Sequence, residues 1–358
     1  MSNLRQFLPD LGFDGGFGAF REQTDIYPVL GVAIIDVEPE RLRKLALKEE
    51  DELGGVSVGR EHIIYPPLPI PDGRFSRSEE TLDLLGVTDK HFGNVKVMIL
   101  DTGLETDHPD FVSKNPTALP FEKGQKETRD FTGHGTHCAG LIAGPLKPSD
   151  QGPRYGVAPG AELVAGRVMS SDTGSADDNS LCAALTWAMQ NGAVIVNMSF
   201  GGTVDFDDCY PQNSENMFAR AFQAGILLVA AAGDDPEDAQ YPVKYPANCP
   251  SVMAVGAVDG QLSPAAFSCA GINKDQLVDV VAPGVMIRSS FVGKTYKELS
   301  GTSMSAALVS GIAALWADTD SALRGDALWK AVVGSTRKLR LGKPVEVGAG
   351  LVQAPHLA

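Results

Sequence analysis

Val95-Lys96-Val97-Met98-Ile99-Leu100-Asp101 is an apolar run broken only by Lys96 and closed by an acid. A short run this apolar, without polar alternation, is a strand buried on both faces, and such strands belong to parallel sheets covered by helices. The pattern recurs along the chain. Residues 162–168, 193–198, 226–232 and 252–258 read as further strands. Residues 134–143, 179–191, 213–224, 303–318 and 324–335 read as helices between and after them. The expected fold is therefore α/β: a doubly wound, mostly parallel sheet with helices on both faces. Open sheets of this kind form their sites at the carboxyl ends of the strands. Asp101, Ser199 and Asp234 each closely follow a strand, so they converge on one site.

Three motifs fall in the order Asp, His, Ser: Asp101-Thr102-Gly103, Gly133-His134-Gly135-Thr136-His137 and Gly301-Thr302-Ser303-Met304-Ser305. Each has a plain structural reading. Asp101 is a turn or cap residue, a histidine among apolar neighbours is a buried structural group, and Ser303 is an N-cap before the apolar stretch that follows. The chemical reading uses the same positions. The glycines around His134 let other groups approach its ring, and His137 supports it. Ser303 at a helix start sits where free N–H groups and the helix dipole favour negative charge. A serine hydroxyl is inert at neutral pH until an adjacent base takes its proton. Asp-Thr-Gly also marks aspartic peptidases, which need two copies, and this chain has one.

Composition bounds the alternatives. The 358 residues, 43% of them hydrophobic, suffice for one large core and a small accessory domain. A formal net charge of -15 argues against nucleic acid as a partner. No apolar run reaches the roughly 18 residues that span a membrane. No apolar segment follows Met1-Ser2-Asn3-Leu4-Arg5, so no secretory signal is visible; a cytoplasmic location is expected, with secretion left open. The five cysteines (Cys138, Cys182, Cys209, Cys249, Cys269) have no zinc-type spacing and fit a reducing compartment.

In this order, and with Asn94-Val95-Lys96-Val97, His108-Pro109-Asp110, Gly156-Val157-Ala158-Pro159, Asn197-Met198-Ser199-Phe200-Gly201-Gly202 and Ala282-Pro283-Gly284, residues 80 to 355 resemble the subtilisin-like serine peptidases. The resemblance implies peptide-bond hydrolysis with Ser303 as nucleophile, His134 as proton shuttle and Asp101 orienting the imidazole. It implies polypeptide substrates and no catalytic cofactor. Gly174, Ser175 and Ala176, with Ser199, Phe200 and Gly201, would form the edges that pair with substrate backbone. Residues 230–233 would wall the primary specificity pocket, with Gln240 near its floor making it shorter and more polar. Asp177, Asp178, Asp235, Glu237 and Asp238 are either a solvated acidic surface or a preference for basic residues. Some relatives bind structural calcium, which would assign the backbones of Val243 and Tyr245 and the carboxylate of Asp279 to a cation. Some secreted relatives pair cysteines near Cys209 and Cys249.

The chain departs from the family pattern at Asp234, which stands where an asparagine usually donates to the oxyanion. A protonated aspartate could donate instead, and a dry site near a second anion raises a carboxyl pKa. The other readings are an introduced change, or an enzyme tuned for selective processing or nearly inactive. Ser305-Ala306-Ala307-Leu308 also replaces the usual Ala-x-Pro-His. The rival functions are a processing peptidase or peptide ligase of the same family, and a catalytically weak subtilisin-like binding protein.

Residues 1–24 read as an N-terminal extension, 25–67 as a compact β-α-β unit, 68–79 as a Pro-rich linker and 80–358 as the peptidase domain. In the unit, 29–37 and 56–65 read as strands and 39–53 as a helix. It weakly resembles the inhibitory propeptides of this family, which implies an intramolecular inhibitor with Tyr65-Pro66-Pro67 as its tail. Proline after a scissile bond resists cleavage, so an uncleaved, self-inhibited chain is one expected state; a plain interaction domain is the other.

Overall fold

A computed structural model of the chain describes residues 24–30, 32–35, 63–64, 78–169, 176–202, 210–235, 242–271 and 277–356. Two short strands, β1 (Thr24–Tyr27) and β2 (Val32–Ile35), pair antiparallel as a hairpin. The strand expected over 29–37 is thus shorter. Residues 28–30 form a turn, closed by the Leu30 N–H donating to the Tyr27 carbonyl at 3.1 Å. The helix expected over 39–53 lies outside the described residues. Of the strand expected over 56–65, Ile63–Ile64 (β3) is described.

The main sheet contains β4 (Lys96–Asp101), β5 (Thr117–Pro120), β6 (Glu162–Arg167), β8 (Ile195–Met198), β9 (Leu227–Ala231), β10 (Met253–Val258) and β11 (Val280–Pro283). The short β7 (Ala176–Asp177) lies apart and pairs antiparallel with β3. The seven-stranded order is β11-β10-β9-β8-β4-β6-β5, with every pair parallel. This is the α/β sheet that the apolar runs predict. β8, β9, β10 and β11 are buried at every position, as strands covered on both faces must be. A hairpin of β12 (Ile287–Phe291) and β13 (Thr295–Leu299) follows.

Central β4 carries Asp101 to the carboxyl edge of the sheet. The helix His134–Ala143 and the helix Thr302–Thr319 lie against each other, and both pack on the sheet. The second is buried at all but three of its residues because it is built of Ala, Gly, Ser and a few large aliphatics. A line of buried polar bonds ties it to β8. Ser310 Oγ donates to Asn197 Oδ1 (2.9 Å), Asn197 Nδ2 to Ser199 Oγ (2.8 Å), and Ser199 Oγ to the Ser303 carbonyl (3.0 Å). Buried polar groups left unpaired cost about 1–3 kcal/mol each, so this line fixes one register between helix and strand. Among the described residues no helix is long and apolar enough to cross a membrane.

Candidate active site

Asp101 is 1% exposed. Its Oδ1 accepts the Thr102 N–H at 2.8 Å and meets His134 Nδ1 at 2.8 Å. That contact makes Nδ1 the protonated nitrogen and leaves Nε2 with a lone pair. Burial works against a charged imidazole. The adjacent Asp101 carboxylate overrides it and holds His134 well above its ordinary pKa. Nε2 has Cys138 Sγ as its neighbour at 4.0 Å.

His134 opens its helix behind Gly133, whose φ is 87°. A Cβ on Gly133 would lie 2.3 Å from the Phe291 ring. Both features demand glycine here. Gly133→Ala is expected to destabilise the fold by about 2–4 kcal/mol through overpacking and left-handed strain. Differential scanning calorimetry on an inactive background would read this as a lowered Tm.

Ser303 lies in the first turn of its helix and is buried. Its Oγ donates to the Ser199 carbonyl at 2.9 Å rather than to His134. Hydrogen bonds between nucleophile and base are often loose in free enzymes and tighten when substrate binds. His137 is fully buried, its Nε2 within 3.0 Å of the carbonyls of Ile287 and Lys297. Burial pushes its pKa down to about 3, so it stays neutral and clips the β12–β13 hairpin to the helix.

Asp234 presents its two oxygens differently. Oδ1 accepts both the Thr302 N–H and the Thr302 hydroxyl at 2.8 Å. Oδ2 is buried without a partner. Burial raises the Asp234 pKa, against the opposing pull of the Thr302 bonds and the Lys244 charge. Gly301, at φ 155°, keeps the space beside Oδ2 open, since a Cβ there would stand 2.8 Å from it. Burial of Oδ2 therefore favours the neutral acid, while Oδ1 remains the acceptor for Thr302.

The expected substrate edges are partly visible. Gly174, Ser175 and Gln240 lie outside the described residues. Ala176 is in β7, where Ile64 pairs with it and Ile63 with Asp177. Ser199 and Phe200 are buried. At the end of this edge the Gly202 N–H donates to the Tyr245 carbonyl at 2.8 Å. The acidic residues near these edges have structural duties. Asp177 caps the helix Asp178–Gln190 by accepting the Ser180 N–H at 2.7 Å, and Asp178 accepts the Tyr245 hydroxyl at 2.8 Å. Glu237 and Asp238 lie outside the described residues.

Val243 and Tyr245 are buried and Asp279 is half-buried. Asp279 Oδ2 accepts the Ala254 N–H at 2.8 Å, and burial pushes its pKa up to about 7. Cys138, Cys249 and Cys269 are free, buried thiols, and Cys182 is buried beside Met217. Cys249 is therefore not bridged to Cys209, which itself lies outside the described residues.

Sequence reading overlooked Thr102, Thr302 and Asp130, which hold the site through hydrogen bonds rather than offering recognisable chemistry. Only proximity marks them: Thr102 follows Asp101, Thr302 precedes Ser303, and Asp130 stands four residues before His134.

The model of the subtilase family matches residues 93–350. Subtilisin DY of Bacillus licheniformis is 38% identical over 226 residues, covering 62% of this chain and 76% of that protein. Subtilisin Savinase of Lederbergia lenta is 39% identical over 224 residues, 62% of this chain and 75% of its own length. M-protease of Shouchella clausii (strain KSM-K16) matches at 39% over 224 residues, which is 62% of this chain and 53% of that protein. With an aspartate–histidine pair at the end of the central strand and a serine on the first turn of the apposed helix, the chain belongs to the subtilase family of serine endopeptidases.

Proposed function

We propose that Asp101, His134 and Ser303 form the triad that hydrolyses peptide bonds in this enzyme, with Asp234 as a protonated donor to the oxyanion. The 2.8 Å bond between His134 Nδ1 and Asp101 Oδ1 carries the reading, because it directs the basic Nε2 away from the carboxylate. Ser303 Oγ attacks the scissile carbonyl carbon and passes its proton to Nε2. Asp101 stabilises the imidazolium. The carbonyl oxygen gains the electron pair of its π bond and faces the start of the helix Thr302–Thr319 and Asp234 Oδ2–H. The tetrahedral species collapses, the C–N bond breaks, and His134 gives its proton to the departing amine. Water, deprotonated by His134, then releases the acid and restores Ser303. The reaction needs no catalytic cofactor. The test is a peptide-library digest by the parent and by Ser303→Ala. Cleavage by the parent alone is expected; equal cleavage by both overturns the assignment.

The N-terminal unit (25–67), joined by 68–79 to the peptidase domain (80–358), acts in this reading as an intramolecular inhibitor. Its support is the antiparallel pairing of Ile63–Ile64 with Ala176–Asp177, the mode by which a peptide adds a strand to an exposed edge. Tyr27 and Asp25 of the hairpin also bond Asn179 at the start of the adjoining helix, at 3.1 Å each. Replacing both Ile63 and Ile64 by proline removes the ladder N–H groups. Initial rates on a peptide substrate are expected to rise about tenfold or more; an unchanged rate contradicts the inhibitory role.

The groups expected to hold a structural calcium do not converge: the Asp279 carboxylate, before β11, accepts the Ala254 N–H, whereas the Tyr245 carbonyl accepts the N–H of Gly202, which follows β8. A reducing, cytoplasmic setting fits the free thiols of Cys138, Cys249 and Cys269.

A further inference from the structure

We infer that Asp130 is a positioning residue for the Asp101–His134 pair, and this rests on the triad proposed above. Asp130 is 1% exposed, and its hydrogen bonds go to neighbours of the pair rather than to either member. Its Oδ1 accepts the Thr102 hydroxyl at 2.9 Å, the Thr132 N–H at 3.0 Å and the Gly133 N–H at 2.8 Å. Its Oδ2 accepts the Thr136 N–H at 2.8 Å. One carboxylate therefore grips the residue after Asp101, the two residues before His134 and the first turn of the His134 helix.

The sequence makes this grip necessary. A helix start leaves N–H groups that need acceptors, usually supplied by the N-cap side chain. Gly133 occupies that position and has no side chain, because the Phe291 ring fills the space. Asp130 supplies the missing acceptor from outside the helix and brings a negative charge to its positive end. Thr102 completes the link: its Oγ1 accepts the Gly135 N–H at 3.0 Å and the Thr132 hydroxyl at 3.0 Å while donating to Asp130. The strand end holding Asp101 and the helix start holding His134 are thus joined through one buried anion. Displacing a reacting group by about 1 Å costs on the order of 10²-fold in rate.

The test compares the full chain with Asp130→Ala and Asp130→Asn on one peptide substrate, with Ser303→Ala as the blank. Asp130→Ala is expected to lose about 10- to 100-fold in kcat with KM within roughly twofold. The pH at which kcat/KM rises should fall, because a loosened Asp101 contact holds the His134 proton less firmly. Asp130→Asn keeps an oxygen for Thr102, Thr132 and Gly133 and is expected to recover most of kcat. Thermal unfolding separates positioning from simple loss of fold: the kcat deficit is measured at a temperature where each variant is fully folded. A folded Asp130→Ala with parental kcat and an unshifted pH profile overturns the inference while leaving the triad intact. If Asp130→Ala does not fold, Thr102→Val, which removes the hydroxyl that joins Asp130 to the strand end and the helix start, takes its place: a folded Thr102→Val with parental kcat and an unshifted pH profile overturns the inference. A parent no more active than Ser303→Ala overturns the triad and this inference together.

Discussion

Ser303→Ala is expected to lower kcat by about 10⁶-fold, the scale seen when a triad loses its nucleophile. The size follows from the geometry. Without Oγ no acyl-enzyme forms, and what remains is attack by water on a carbonyl bound near the helix start and Asp234. Since a triad acts as a unit, His134→Ala should cost nearly as much and the double variant little more. The fold should tolerate Ser303→Ala, because the hydroxyl's bond to the Ser199 carbonyl is a single contact at the start of the helix. Steady-state hydrolysis of a peptide substrate, with circular dichroism to verify folding, reads both effects.

Asp234→Asn has the next largest expected effect, and it depends on pH. In the proposed mechanism the neutral acid donates to the oxyanion; the ionised form has no donor and adds repulsion. Burial raises the Asp234 pKa, so the donating form prevails below that raised value and is lost as pH rises through it. His134 works in the opposite sense. Asp101 holds its pKa well above the ordinary value, so its basic form appears only as pH rises. The parent should therefore show a bell-shaped dependence of kcat/KM on pH. Neutral His134 with neutral Asp234 holds the same number of protons as the charged pair, so the two limbs report coupled titrations rather than single sites. Asp234→Asn installs a permanent N–H donor while Oδ1 keeps its two Thr302 bonds. The descending limb should disappear, with a gain of roughly 10²–10³ on the alkaline side, the value of one oxyanion donor. At acid pH the two proteins should agree within a few-fold. Coincident profiles across the range would remove Asp234 from the oxyanion site.

The sheet was legible because its strands are covered on both faces and so read as unbroken apolar runs. The helix His134–Ala143 falls where expected, and β4, β6, β8, β9 and β10 lie within the expected segments or overrun them by one residue. β5 and β11 escaped notice for a physical reason. Each is four residues long and carries a proline, at Pro120 and Pro283, which argues locally against a strand. The β12–β13 hairpin is polar on its exposed side and lacks a run of apolar residues. At the site, chain order singled out Asp101, His134 and Ser303 because each sits in a short glycine-containing motif. Asp130 and Thr102 stayed hidden, because hydrogen bonds between a loop, a strand end and a helix start leave no periodicity. The unequal roles of the two Asp234 oxygens likewise needed coordinates, since only they show Thr302 bonded to one and nothing to the other.

The most direct measurement of the central claim is labelling with a fluorophosphonate, followed by peptide mass spectrometry of the parent and of His134→Ala. A phosphonyl group replacing the proton of Ser303 Oγ, with fluoride released, requires a serine activated by an adjacent base. The account predicts one adduct on the parent, at Ser303, and on the order of 10³-fold or slower labelling of His134→Ala. An adduct at another residue, or equal labelling of Ser303 in both proteins, would contradict it.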